Sequence, residues 1–109
     1  MSETETLVRS YLAALGARDF ELARSYLANR GFSYTSPISS FTDADRFVQN
    51  ISVIGPILER IEIRKCMVSS NEAMVILDTT ITLDGYVSHT SAMLFVVGDG
   101  SIKTMEAIA

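Results

Sequence analysis

Residues 73–97 read AMVILDTTITLDGYVSHTSAMLFVV, and this stretch decides the fold. It holds two runs rich in β-branched and aromatic residues, Ala73 to Leu83 and Tyr86 to Val97. Between them stands Asp84-Gly85, a hairpin signal because both residues tolerate positive φ. On one face of the first run the alternation places Val75, Leu77, Thr79 and Ile81; on the other lie Met74, Ile76, Asp78 and Thr80. In the second run Ala92, Leu94 and Val96 oppose Met93, Phe95 and Val97. Both faces are apolar, whereas a sheet with one wet face shows cleaner polar alternation. Helices can cover one face. The other is expected to meet a second copy of the chain, giving a homodimer through the outer sheet face.

Working outward, Leu58 to Val68 is a further strand, broken by the turn-forming Ser69-Ser70-Asn71. Gly98-Asp99-Gly100 closes the run that ends at Val97, and Ser101 to Ile108 is the last strand. Everything before Pro56 reads differently. Ser2 and Glu5 have capping-box spacing. Leu7, Val8, Tyr11, Leu12, Ala14 and Leu15 then recur at helical spacing until Gly16. Asp19 is the expected N-cap of a second helix, with Phe20, Ala23, Tyr26 and Leu27 on its inner side. Phe32 to Ser36 reads as a short strand that ends at Pro37, which cannot donate to a ladder. Thr42 and Asp45 open a third helix carrying Phe47, Val48, Ile51 and Ile54, stopped by Gly55-Pro56. Helices first and hairpins afterwards indicate an α+β fold, as a single domain over residues 1–109.

Composition narrows the function classes. With 48% hydrophobic and 20% charged residues the chain is globular rather than disordered. No apolar run is long enough to span a membrane. The net charge is -4, and the Lys and Arg residues are scattered without interleaved aromatics, which argues against a nucleic-acid partner. Cys66 is the single cysteine, and Glu3 and Glu5 stand where a basic apolar leader would be; both fit a cytoplasmic home. One His and one Cys with scattered carboxylates show no ligand spacing, so neither a metal nor another cofactor is expected.

The order of helix, helix, short strand, helix and four long strands resembles the nuclear transport factor two-like superfamily. The similarity is carried by Tyr11-Leu12-Ala13-Ala14-Leu15 with Asp19-Phe20, by Tyr34 to Pro37, by Asn71-Glu72-Ala73 opening a strand that ends in Asp84-Gly85, and by Gly98-Asp99-Gly100 before Met105. The nearest branch is that of ketosteroid isomerase and the SnoaL-like cyclases. The resemblance implies a cone-shaped, curved antiparallel sheet with the N-terminal helices on its concave face, a cystatin-like roll. It also implies catalytic positions. In ketosteroid isomerases a tyrosine and a protonated aspartic acid donate to the substrate oxygen while a second aspartate moves the proton, an arrangement familiar from studies of pKa tuning. Here the tyrosine falls on Tyr11, the base position on Ser36, and the second donor on Ala92 or Leu94. A serine is too weak a base, and Ala and Leu cannot donate. The aspartate–arginine–aspartate set of the related epoxide hydrolases finds no counterpart on the expected inner face.

What remains is a pocket rather than a reaction centre. Its expected wall is Tyr11, Tyr34, Ser36, Phe47, Ile51, Val75, Leu77, Thr79, Ile81, Tyr86, Ala92, Leu94 and Met105, with Ser88 and Thr90 as further hydroxyls. Apolar walls with a few hydroxyls suit a small apolar or weakly polar molecule. Tyr11 is the best single catalytic candidate, leaving room for mild isomerase- or cyclase-like chemistry without the isomerase carboxylates. The competing expectation makes Tyr11 an ordinary core tyrosine in a solid cone, and the chain a non-catalytic dimerisation or protein-interaction module. A cavity of at least roughly 300 Å³ at Tyr11 favours the pocket. His89 and Asp78 are expected to face away from it, and Cys66 to be buried and inert.

Overall fold

The structure is a computed structural model that describes residues 2–108. Three helices precede the long strands. Helix α1 spans Glu3–Gly16, with Ser2 as N-cap accepting from the Glu5 N–H, as the capping-box spacing predicts. Helix α2 spans Phe20–Ser25 and is capped by the Asp19 carboxylate on the Leu22 N–H. Helix α3 spans Ala44–Ser52. Its N-cap is Asp43 rather than Thr42, because that carboxylate accepts from both Asp45 and Arg46 N–H groups. A 3-10 turn at Gly55–Ile57 then redirects the chain into the sheet.

Among the described residues six strands form one sheet in the order β2-β1-β6-β5-β4-β3. They are β1 (Ser33–Thr35), β2 (Ser40–Phe41), β3 (Leu58–Ser69), β4 (Glu72–Thr82), β5 (Tyr86–Gly98) and β6 (Ser101–Ala107). The sheet is curved and unclosed. It is mixed rather than purely antiparallel, since β1 runs parallel to β6. The short strand β2 has no counterpart in the sequence reading. It exists because Ser36 and Ser39 tie a turn: the Ser36 hydroxyl accepts from the Ile38 and Ser39 N–H groups, and the chain doubles back through Pro37. Register shifts fall between Leu58 and Arg60, between Ile63 and Lys65, and between Val96 and Val97. Each inserts an extra residue on one strand, and such bulges bend and coil a sheet.

The helices cover one face of this sheet. α1 packs on β3 and β4, α2 against α1, and α3 against α2. The core between the layers holds Val8, Tyr11, Leu12, Val75, Leu77, Phe95, Ile102 and Met105, all buried. Tyr11 meets Phe95 edge-on with ring centroids 6.1 Å apart. At the other end Phe47 gathers Phe32, Tyr34 and Phe41, with the Tyr34 ring stacked on it at 4.5 Å. Such aromatic pairs add about 0.5–1.5 kcal/mol each beyond the area they bury.

Candidate functional site

Between the helices and the concave face lies a cavity of about 160 Å³ that opens to the surface. α1 supplies Tyr11, Leu12 and Leu15; α2 supplies Phe20; α3 and the turn after it supply Phe47, Ile51 and Ile54. From the sheet come Tyr34, Leu58, Ile61, Leu77, Thr79, Ser91, Met93 and Met105. No Asp, Glu, Lys, Arg or His is among these lining residues. Gly55 helps to shape this end. A Cβ there would stand 3.0 Å from the Phe20 ring, so the missing side chain lets that ring lie against the turn.

Tyr11 is fully buried, and its Oη has no hydrogen-bond partner among the described residues. Burial pushes the phenol far above its ordinary pKa, and the neighbouring Tyr34 phenol raises it further. The group is therefore a neutral donor throughout the physiological range. Leaving a buried polar atom unpaired costs stability. Tyr11 is at the same time one of the residues that line the cavity. Thr79 and Ser91 add two more hydroxyls to the lining from β4 and β5, where Thr79 pairs with His89 and Ser91 with Leu77, and neither is fully buried. The Arg18 guanidinium, in a left-handed turn at φ 60°, donates to the Leu58 carbonyl at 2.5 Å and pins the α1–α2 connection to the start of β3.

Of the expected wall, Tyr11, Tyr34, Phe47, Ile51, Leu77, Thr79 and Met105 come together around the cavity. Val75 shares their face but is packed solid in the core, and Ile81 lies beyond the lining, opposite Leu58. Ser36 is spent on its own turn. The facing of β5 is the reverse of the expectation. Leu77 pairs with Ser91 and Val75 with Met93, so Ser91 and Met93 point inward. Ala92 and Leu94 lie on the outer face with Ser88, Thr90 and Tyr86, and Tyr86 is 74% exposed. His89 is corrected with them: it pairs with Thr79 and belongs to the inner face, but it is exposed and outside the cavity lining.

Asp78 faces outward. It accepts from Thr90 Oγ1 at 2.5 Å and from two nitrogens of Arg64. The Thr90 hydroxyl, then Arg64, hold its carboxyl below the ordinary range. Cys66 is half-buried on the inner face, and its thiol is pushed up mainly by burial, which suppresses the reactive thiolate. Among the described residues no three His, Cys, Asp or Glu side chains gather as a metal site would require.

Known structures share this architecture. A protein of unknown function from Burkholderia pseudomallei, described as NTF2-like, superposes with a TM-score of 0.84 at 18% identity, covering 98% of this chain and 90% of that one. The chain has the nuclear transport factor two-like fold. An LEH-like epoxide hydrolase from M. tuberculosis is similar with a TM-score of 0.85 and 16% identity, over 97% of this chain and 81% of the other. A protein of ketosteroid isomerase-like fold from Catenulispora acidiphila, in complex with trimethylamine, gives 0.79 at 12% identity, over 93% and 82%. At these identities the likeness is one of fold. A scan of protein-family models and a search of curated proteins gave no match. In the described residues no helix is long and apolar enough to cross a membrane.

Proposed function

We propose that this chain binds a small, uncharged, largely apolar molecule carrying one hydrogen-bonding oxygen. The observation that carries the reading is the buried Tyr11 hydroxyl, without a partner among the described residues, on a residue that lines a largely apolar cavity. The absence of any charged side chain in the lining disfavours ionic ligands, which would be desolvated without a partner. The volume sets the size. About 160 Å³ falls short of the roughly 300 Å³ expected from the sequence and is half the lower bound for drug-sized ligands, so the reading narrows to a smaller molecule. The volume is close to the roughly 150 Å³ of an engineered apolar cavity that holds benzene. The ligand is thus of single-ring size. Small ligands occur in this fold, as trimethylamine does in the C. acidiphila protein.

Any chemistry at the site is limited to polarising the ligand oxygen. Tyr11 can donate to an oxygen on which negative charge develops, but no lining carboxylate or imidazole stands ready to take a proton. The test is a thermal-shift screen of monocyclic ketones, phenols and cyclic ethers against charged analogues of equal size. Neutral oxygen-bearing rings should raise Tm, and Ser91→Leu, which adds bulk to the lining, should abolish the shift while keeping the fold. A preference for carboxylates or amines would defeat the reading.

A second reading is a dimerisation module through the outer sheet face. It is favoured by Met67, Met74, Ile76, Ala92, Leu94 and Val96, which form an apolar centre on that face, with Met67 46% exposed. A patch of this kind, rimmed by Arg60, Glu62 and Lys65, has the anatomy of an interface. Leu94→Glu should then halve the mass in solution.

A further inference from the structure

The two long outer lines of this sheet are treated differently. The free side of β3 carries Glu59, Arg60, Glu62, Arg64 and Lys65, and its ladder is interrupted by two register shifts. Charges and bulges are the usual devices that stop an edge from pairing with another chain. The first half of β5 has no such protection. β5 begins at Tyr86, but β6 accompanies it only as far as Met93 opposite Ala107, and the last bond on that side runs from the Ile108 N–H to the Ala92 carbonyl. That bond fixes which groups point to the open side. By the two-residue period, the N–H and C=O groups of Tyr86, Ser88 and Thr90 leave β5 along the same edge as those of Ala92. Among the described residues no strand pairs with them. The segment Tyr86–Ser91 contains no Lys, Arg, Asp, Glu or Pro. Large apolar side chains flank it in the open: Leu83 is 60% exposed, Tyr86 74%, Val87 48% and Ile108 47%.

We propose that this open edge pairs antiparallel with the same edge of a second copy, joining two sheets into one. The occupant follows from the register. An antiparallel pair centred on Ser88 sets Ser88 opposite Ser88 of the second copy and Tyr86 opposite Thr90, in both directions. Every free N–H and C=O of the window then finds a partner, two bonds per facing pair. The same centring places Val87 against His89 on the inner side, and it brings no charged side chain of one window against one of like sign in the other. The window ends where Ile108 already occupies Ala92, so a shifted register loses bonds at one end. This contact is separate from the outer-face reading above and does not depend on the ligand proposal.

The test is sedimentation of the full chain over a concentration series, with residue-resolved amide exchange. The expected result is a concentration-dependent dimer in which the Ser88 and Thr90 amides gain protection as the dimer forms. Ser88→Pro removes a donor that no strand of its own molecule uses, so the fold should survive while the dimer is lost. Ser88→Lys keeps the donor and sets like charges face to face at the two-fold axis, and it should weaken association up to about fivefold, less so at high salt. Leu94→Glu, on the outer face, should leave these amides protected. A monomer at every concentration overturns the proposal. So does a dimer that survives both Ser88 variants but is dissolved by Leu94→Glu.

Discussion

Replacing Tyr11 by Phe separates a binding hydroxyl from a structural one, because the two roles predict opposite signs. Phe keeps the ring, its edge-on contact with Phe95 at 6.1 Å, and the shape of the cavity wall. It removes only the Oη that is buried without a partner. An unsatisfied buried hydroxyl carries about 1–3 kcal/mol of uncompensated desolvation. The ligand-free variant should therefore be more stable, by about 1 kcal/mol at the low end of that range. Over 109 residues the unfolding entropy is about 230 cal/mol/K, from about 2.1 cal/mol/K per residue, so this gain raises Tm by about 4 °C. With an oxygen-bearing ligand the order reverses. Loss of one hydrogen bond worth about 0.5–1.5 kcal/mol lowers affinity about two- to tenfold. Calorimetric melting with and without ligand reads both effects in one experiment. A Phe variant that melts below the parent without ligand would refute the reasoning, since the hydroxyl would then be satisfied in solution. Unchanged affinity for every oxygen-bearing ligand would remove Tyr11 from the site.

Phe47→Ala empties the meeting point of the Phe32, Tyr34 and Phe41 rings and enlarges the cavity. A loss of about 3–5 kcal/mol is expected by chemical denaturation, together with a shift of ligand preference toward larger rings. The pH dependence of stability should show Asp78. Its carboxyl is held low first by the Thr90 hydroxyl and then by Arg64, so its folded pKa lies below the unfolded one. A depressed carboxylate stabilises the fold above the unfolded pKa, and that contribution disappears as pH falls through the folded value. Asp78→Asn should flatten the acid limb of a denaturation-versus-pH curve while leaving the neutral limb nearly parallel to the parent. An unchanged acid limb would mean the Thr90 and Arg64 contacts are not kept in solution.

Most of the fold is legible in the sequence because its signals are local. Ser2 and Asp19 cap helices where carboxylate and hydroxyl spacing say they should, and the strands after Pro56 run between Gly, Asn and Asp turns. What escaped is what depends on distant partners. The parallel pairing of β1 with β6 joins Tyr34 to Met105, residues far apart in sequence, and no local pattern announces it. β2 has only two residues and owes its existence to a serine turn. Neither omission displaces the site, because Tyr34 reaches the cavity in either description.

The facing of β5 is a more instructive failure, since one residue causes it. A two-residue Asp84-Gly85 turn would set Leu83 against Tyr86, and the count would then put Ala92 opposite Leu77. In the structure Thr82 pairs with Tyr86, so the loop holds three residues, Leu83, Asp84 and Gly85. Three-residue loops ending in a left-handed glycine are the next most common hairpin connection, and Gly85 has φ 108°. One added loop residue moves every side chain of the following strand to the other face. That slip brings Ser91 and Met93 into the cavity and sends Ala92 and Leu94 out. It also turns His89 to the inner face, where it is exposed and outside the lining. The lining of the 160 Å³ cavity therefore carries two phenols and two hydroxyls, and no group that titrates near neutrality. Proton transfer through His89 would require a ligand long enough to leave the cavity past Thr79 and Ser91. The proposed single-ring ligand and the proposed restriction to polarising its oxygen thus stand on the same register, the one that a three-residue loop fixes.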